Sequence, residues 1–237
     1  MTDTTNRPFD EHAEQYDAWF LKNRAVLESE VLLLAHFLRD AGRTLSIGCG
    51  SGLFELLLRT EHGIDVQYGL EPAEGMARIA ELRGMTVSSG TAERLPFGTA
   101  EFDTALQNGI PSYVDDLEAA FREAHRVVRP GGRIVVADVP AESSYGLLYR
   151  LAGDAGTWDD PYLRRVAPRD PYPAEFLGAA NWRTTDEKAA LLRAAGFEEL
   201  EYAQTLTRHP RFSNDSVEQP VGGCDRGDYV AIRARRP

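Results

Sequence analysis

The most informative stretch of the chain is LSIGCGSG, residues 45–52. Its first residues suit a short buried strand, and three glycines follow at Gly48, Gly50 and Gly52. Glycine lets a strand turn sharply into a helix and lets a ligand approach the backbone closely. A strand, a glycine loop and a helix in this order predict a nucleotide-type binding site.

An acidic residue, Glu71, closes the next predicted strand 19 residues after Gly52. A carboxylate at that place can accept hydrogen bonds from both hydroxyls of a ribose. The alternative is that the glycines only form a tight turn and that Glu71 only caps the helix starting near Pro72. The spacing favours the ribose site.

Short apolar runs alternate with amphipathic stretches from Arg43 to Val139, a pattern typical of βαβ units and a mostly parallel sheet. The predicted strands are 43–47, 64–70, 85–88, 102–107 and 133–139, and the predicted helices are 53–59, 73–83 and 115–128. The sequence Arg129-Pro130-Gly131-Gly132 is predicted to end the last of these helices.

The flanking segments differ from this core, which spans residues 43–139. Residues 9–40 are predicted to form a helical cover. Residues 141–183 contain four prolines and seven aromatic residues, and so long a segment between elements is typical of a lid or a binding segment. Residues 184–237 are predicted to hold a helix capped by Thr184 or Thr185 and two last strands, 200–207 and 228–235. Together these parts form one predicted domain, 1–237.

The composition argues against several partners. The chain has 237 residues and a formal net charge of −11, from 37 acidic and 26 basic side chains. Affinity for phosphate backbones comes mainly from lysine and arginine, so nucleic acid is not an expected partner. No apolar run approaches the ~20 residues of a membrane-spanning helix. The polar start MTDTTNRPFD shows no secretory signal, and a cytoplasmic location is expected.

Other cofactor classes require patterns that the sequence does not contain. A G-x-G-x-x-G dinucleotide fingerprint needs a glycine at position 53, where the chain has Leu53, and a P-loop needs Gly-Lys-Ser/Thr. Two cysteines, Cys49 and Cys224, are too few for a four-cysteine zinc site. No metal site is predicted.

Five stretches together resemble class I S-adenosylmethionine-dependent methyltransferases of the small-molecule type 11 kind, related to the ubiquinone and menaquinone biosynthesis methyltransferases. They are LSIGCGSG (45–52), GLEPAEGMARIA (69–80), GTAERLPF (90–97), EFDTALQ (101–107) and LEAAFREAHRVVRPGGRIVVAD (117–138). The N-terminal FDEHAEQYDAWF (9–20) resembles this group more weakly.

The resemblance implies a Rossmann-like, doubly wound α/β fold. Its mostly parallel seven-stranded sheet has an antiparallel last strand, helices on both faces, an N-terminal helical cover and a lid inserted after strand 5. The implied cofactor is S-adenosyl-L-methionine, with S-adenosyl-L-homocysteine as product.

The resemblance also implies which residues contact the cofactor. The glycine loop would line the methionine portion, Glu71 would hold the ribose, Pro72 and Met76 would flank the adenine, and Gln107 would lie near the methyl group. An N-terminal aromatic residue, Tyr16, would lie over the cofactor. The full set is Tyr16, Ser46, Gly48, Cys49, Gly50, Gly52, Glu71, Pro72, Met76, Thr91, Ala92, Glu93 and Gln107.

Two positions depart from the family pattern. Ser46 replaces the acidic residue commonly found two positions before the first glycine, and Thr91 stands where an aspartate is frequent. The Ser46 hydroxyl can still accept a hydrogen bond from the cofactor ammonium, but it carries no charge. Binding weaker by roughly 1–2 kcal/mol is therefore expected.

Methyl transfer from a sulfonium is an in-line displacement that depends on alignment and exclusion of water. A general base is needed only if the acceptor must lose a proton, so no catalytic residue is predicted. His12 is a candidate base, and a solvated helix histidine is the alternative.

The acceptor is expected to be a small molecule bound by aromatic residues of 141–183, first of all Trp158, Tyr162 and Tyr172. The alternative is that these rings only pack the lid onto the domain. The sequence leaves a monomer and a homodimer open.

The sequence leaves two rival functions open. The first is a catalytically silent methyltransferase-like module that binds cofactor or a partner without turnover. The second is an NAD-dependent oxidoreductase that uses the same type of glycine loop, which Leu53 argues against.

Overall fold

A computed structural model describes residues 9–10 and 12–237 of the chain. The strands are β1 Thr44–Ile47, β2 Tyr68–Leu70, β3 Thr86–Ser88, β4 Phe102–Asn108, β5 Val128–Asp138, β6 Glu198–Thr205, β7 Val221–Gly222 and β8 Tyr229–Arg235. The α-helices are α1 Ala13–Lys22, α2 Arg24–Leu38, α3 Leu53–His62, α4 Glu74–Leu82, α5 Leu117–Val127, α6 Ser144–Ala155, α7 Leu163–Val166, α8 Ala174–Leu177 and α9 Thr185–Ala194. Short 3-10 turns occur at Pro111–Tyr113 and Pro210–Phe212.

All strands lie in one sheet with the order β3-β2-β1-β4-β5-β8-β6-β7. Strands β1 to β5 pair in parallel, whereas β8 runs antiparallel to both of its neighbours, β5 and β6. The predicted Rossmann-like, doubly wound fold with an antiparallel last strand is confirmed. The prediction of seven strands omitted β7, a two-residue strand that pairs with β6 at the edge of the sheet.

The start of β5 corrects the prediction that Arg129-Pro130-Gly131-Gly132 ends a helix and lies before the strand. Helix α5 ends at Val127, and β5 already begins at Val128. The ladder with β4 shifts register between Phe102 and Thr104. A β-carbon on Gly132 would lie 2.5 Å from the carbonyl oxygen of Asp103. Glycine therefore lets the irregular start of β5 pass close to β4 without leaving the sheet.

Helices cover both faces of the sheet, as predicted. On one face, α5 buries Leu117, Phe121 and Ala124, at positions i, i+4 and i+7, in the same apolar cluster as Leu192 of α9. The opposite face packs against α2, α3 and the segment after β5. Helix α9 begins at a capping box between Thr184 and Glu187, so Thr184 is the residue that caps it.

The N-terminal cover and the lid (residues 141–183) pack against each other. The indole of Trp19 donates hydrogen bonds to the carbonyl oxygens of Asp170 and Pro171, at 3.2 and 3.0 Å. The amide of Asn23 donates to the carboxylate of Asp170 at 2.8 Å. The cover and the lid therefore form one roof over the sheet.

The cover is also tied to the glycine loop. Asp17 of α1 accepts a hydrogen bond from the Ser51 hydroxyl at 2.5 Å and pairs with Arg83 at 2.6 Å. These contacts fix α1 beside the end of β1. Among the described helices, none is long and apolar enough to cross a membrane.

Candidate functional site

A cavity lies beneath the roof at the carboxyl ends of the parallel strands. Gly48 follows β1, Glu71 follows β2, and Asn108 and Asp138 end β4 and β5. All four residues line the cavity. Open α/β sheets bind their ligands at this edge, so the topology alone makes the cavity the candidate site.

The glycine loop forms one wall of the cavity through its backbone. The N–H groups of Gly48 and Cys49 donate to the carbonyl oxygen of Leu70 at 2.7 and 3.1 Å, which holds the loop against β2. Gly50 has φ +54°, and a β-carbon built on it would have no atom within 4 Å. The cavity therefore contains open space beside Gly50 into which a side chain would project.

Glu71 lies between the glycine loop and α4. Its carboxylate accepts hydrogen bonds from the N–H of Gly50 at 2.8 Å and from the N–H of Ala73 at 2.9 Å. It thus braces the start of α4, and it also lines the cavity. A carboxylate can accept about four hydrogen bonds, so Glu71 retains acceptor capacity towards the cavity.

Burial raises the pKa of Glu71 to about 7, against the lowering effect of those two backbone hydrogen bonds. Between pH 4.5 and 7 the unfolded chain ionises at this position while the folded protein does not. Stability should therefore fall as pH rises through this window, by up to about 3 kcal/mol from this group.

We expect the variant Glu71→Gln to lose this part of the pH dependence. The difference in unfolding free energy between variant and wild type should shift in favour of the variant from pH 4.5 to pH 7. Denaturant unfolding at a series of pH values checks this. Parallel stability curves for the two proteins would contradict the raised pKa of Glu71.

A second carboxylate of the cavity wall, Glu55, lies in the first turn of α3 and is 4 % exposed. Its Oε1 accepts a hydrogen bond from the hydroxyl of Ser46 at 2.6 Å. Its Oε2 is buried and has no hydrogen-bond partner among the described residues. Burial raises the pKa of Glu55. Glu55 thus brings a carboxylate beside Ser46, the position at which the family commonly has an acidic residue.

Most of the predicted cofactor contacts come together on the cavity wall. These residues are Tyr16, Gly48, Cys49, Gly50, Glu71, Pro72, Met76, Thr91, Ala92 and Glu93.

Three predicted cofactor contacts lie off the wall. Ser46 is 1 % exposed and directs its hydroxyl to Glu55. Gly52 lets α3 begin close to α4, because a β-carbon there would lie 3.2 Å from the α-carbon of Ala80 in α4. Gln107 is fully buried, and its neighbour Asn108 lines the cavity instead.

The three predicted lid residues also include one on the cavity wall and two that are off it. Tyr172 lines the cavity and is 7 % exposed. Trp158 lies behind it and donates its indole N–H to the carbonyl oxygen of Tyr172 at 2.8 Å. Tyr162 is 80 % exposed, so it points away from the site. Tyr149 and Trp182 line the cavity although neither was among the first choices from the sequence.

Sequence reasoning missed five acidic or amide side chains of the wall: Glu30, Glu55, Asn108, Asp115 and Asp138. Asn108 directly follows the predicted strand 102–107, and Asp138 is the next-to-last residue of the predicted strand 133–139. Their place at the ends of strands is a signal that could have indicated both. Glu30 and Glu55 lie on helices with apolar neighbours, and an acid among apolar residues was their available signal.

No histidine, lysine or arginine lines the cavity in the described part of the chain, and His12 is not on its wall. Within the same residues, no group of three or more histidine, cysteine or acidic side chains could hold a metal ion. Both cysteines are free thiols. The site therefore offers backbone groups, aromatic rings and carboxylates.

A family model described as a methyltransferase domain matches residues 45–136, which include the glycine loop and Glu71. A demethylmenaquinone methyltransferase of Roseiflexus sp. is 31 % identical, over 69 % of this chain and 71 % of its own length. An uncharacterised protein of Methanocaldococcus jannaschii is 29 % identical over 96 % of this chain and 98 % of its own.

Among solved structures, a protein of Thermotoga maritima superposes with a TM-score of 0.83 and 33 % sequence identity. The match covers 98 % of this chain and the whole of that one. That protein is described as an S-adenosylmethionine-dependent methyltransferase and possible histamine N-methyltransferase.

Proposed function

The chain belongs to the class I S-adenosylmethionine-dependent methyltransferases, and from this premise we propose that it methylates a small-molecule acceptor by in-line displacement in the cavity. The observation that carries the proposal is the arrangement of the glycine loop and Glu71 around open space at the carboxyl edge of the sheet. S-adenosylmethionine, when bound, supplies an electrophilic methyl group on a positively charged sulfur.

Two features of the cavity fit this cofactor. The space beside Gly50 is free of protein atoms. Glu55 lines the cavity, and its buried Oε2 has no hydrogen-bond partner among the described residues. In the proposal, Glu71 accepts hydrogen bonds from the ribose hydroxyls, Glu55 faces the ammonium group, and Pro72 and Met76 flank the adenine. The segment 91–93 provides the remaining contacts to the adenine.

The acceptor half of the cavity would lie beside β4 and β5, under the cover and the lid (residues 9–40 and 141–183 of the single domain). Aromatic side chains dominate there, and no basic residue of the described chain lines it. This chemistry supports a small molecule and not a polyanion. The names of two of the similar proteins, a demethylmenaquinone methyltransferase and a possible histamine N-methyltransferase, indicate different acceptors, so they do not fix the acceptor class of this chain.

The function is tested by incubating the protein with S-adenosylmethionine and extracts of small metabolites, with mass spectrometry to detect S-adenosylhomocysteine and a methylated product. Calorimetry with S-adenosylhomocysteine, and with NAD as control, separates binding from turnover. Tight binding of S-adenosylhomocysteine with methyl transfer is expected. If the protein binds neither S-adenosylmethionine nor S-adenosylhomocysteine, the proposal is rejected.

The variant Glu55→Gln should weaken S-adenosylhomocysteine binding by about tenfold to a hundredfold, because a buried charge-assisted hydrogen bond is lost. Binding of 5′-methylthioadenosine, which has no ammonium group, should be unchanged. Calorimetry with both ligands measures the contrast.

Ser46→Ala is the matched control, because it removes the hydroxyl that donates a hydrogen bond to Glu55 and leaves the Glu55 carboxylate in place. A few-fold loss is expected from it. Equal affinity of wild type and Glu55→Gln for S-adenosylhomocysteine would show that Glu55 does not face the ammonium.

A further inference from the structure

The carboxylates of the cavity form two groups. Burial is the main cause of the raised pKa of Glu71, and the charges of Asp10 and then Glu55 add to it. Burial, then Glu55 and Glu71, raise the pKa of Cys49 in the glycine loop. Burial and then Asp138 raise the pKa of Glu30. Glu55 bonds to Ser46 of β1 and Glu71 to Gly50 of the glycine loop, so both belong to the part of the cavity proposed for the cofactor. Glu30 projects from α2, which packs against β5, the strand that ends at Asp138.

One oxygen of Asp138 is partnered within the protein by a hydroxyl and a cation. Its Oδ2 accepts a hydrogen bond from the Ser112 hydroxyl at 2.8 Å and pairs with the ammonium of Lys188 at 3.1 Å. The side chains of Asp138 and Lys188 are 5 % and 3 % exposed. The lysine neutralises Asp138, so this carboxylate needs no further cation.

Glu30 has no such partner. It projects from α2, lines the cavity and is 6 % exposed. No described residue donates a hydrogen bond to its carboxylate, and no described lysine or arginine pairs with it. Burying a lone carboxylate is costly unless a cation or hydrogen-bond donors reach it. The cavity is the direction from which such a group can come.

Aromatic rings surround the same part of the cavity. Tyr16, Tyr149 and Tyr229 line the same cavity as Glu30. The ring of Tyr149 lies 5.8 Å from that of Tyr172 and 5.7 Å from that of Trp182, measured between centroids. Aromatic faces attract ammonium groups, and the attraction grows when water is excluded.

We propose that Glu30 and the surrounding rings recognise a positively charged amine on the methyl acceptor. The carboxylate supplies the counter-charge, and the rings supply faces for the carbon atoms bonded to the nitrogen. The acceptor class is therefore an aromatic or apolar amine, and carboxylates and phosphates are excluded by the acidic wall. This inference rests on the proposed methyltransferase function, because it takes the cavity as the acceptor site.

The test is calorimetry on the protein saturated with S-adenosylhomocysteine, using three matched pairs of probes. Phenethylamine, tryptamine and histamine are compared with 2-phenylethanol, tryptophol and 2-(imidazol-4-yl)ethanol, which replace the amine by a hydroxyl. We expect at least one amine to bind about tenfold or more tightly than its alcohol. In Glu30→Gln the two members of that pair should bind alike, at the affinity of the alcohol.

Two controls isolate the effect. Glu28→Gln makes the same charge change on the same helix, at a residue that pairs with Arg24 and is absent from the cavity wall. It should leave the amine preference intact. Glu30→Gln should bind S-adenosylhomocysteine as wild type does, which also shows that it is folded.

Several outcomes would overturn the inference. They are no preference for any amine over its alcohol, no binding of any amine at millimolar concentration, and a preference that survives in Glu30→Gln. If the wild-type protein fails to bind S-adenosylhomocysteine, the proposed function itself fails. The two failures are therefore distinguishable in one set of titrations.

Discussion

Replacing Gly50 with valine should abolish binding of S-adenosylhomocysteine while the protein stays folded. The open space beside Gly50 is on the cavity wall, so the two methyl groups of valine would occupy volume that the cofactor needs. A loss of about a hundredfold or more is expected. The left-handed backbone at φ +54° should add a stability cost of about 1–2 kcal/mol.

Gly63→Val is the matched control for this strain. Gly63 ends α3 with φ +66°, and a β-carbon on it would also meet no atom within 4 Å, but it is not on the cavity wall. Both variants should lose similar stability in thermal unfolding, and calorimetry should detect a loss of binding in Gly50→Val alone. Retained affinity in Gly50→Val would remove the glycine loop from the cofactor site.

Glu71→Ala should have a similarly large effect on cofactor affinity. A buried carboxylate that accepts two ribose hydroxyls would contribute two charge-assisted hydrogen bonds, each about 1.5–3 kcal/mol. The expected loss is therefore about a hundredfold or more. The variant should remain folded, since it loses two hydrogen bonds with Gly50 and Ala73 but also removes a buried acid.

Glu74→Ala supplies the comparison for Glu71→Ala. Glu74 begins α4 three residues later, and its side chain is 88 % exposed. Calorimetric titration with S-adenosylhomocysteine should give wild-type affinity for Glu74→Ala. An unchanged affinity in Glu71→Ala would reject the ribose assignment.

The part of the cavity wall proposed for the cofactor could be predicted from local sequence, because it consists mainly of loop backbone and of residues at the ends of strands. The glycines of 48–50 and Glu71 have fixed offsets from β1 and β2, and a parallel sheet brings its strand ends to one edge. The irregular start of β5 could not be predicted, because Pro130 and two glycines are typical of a turn and the pairing with β4 is tertiary.

The rest of the site could not be predicted from the sequence, because it depends on the direction in which each side chain points. Gln107 and Asn108 are adjacent on β4, and because successive side chains of a strand point to opposite faces, only Asn108 reaches the cavity. Glu55 reaches the position beside Ser46 because α3 folds back onto β1, which no local spacing reports. In the lid, composition alone could not separate the inward Tyr172 from the outward Tyr162.

The roof formed by the cover and the lid also makes this chain suitable for site-selective labelling. The two lysines of the chain differ sharply in exposure. Lys188 is buried in its pair with Asp138, whereas the side chain of Lys22 is 71 % exposed. Lys22 lies on the seam of the roof and pairs with Asp170 of the lid at 2.8 Å. An environment-sensitive fluorophore attached through amine chemistry at Lys22 should therefore report when the two halves of the roof separate.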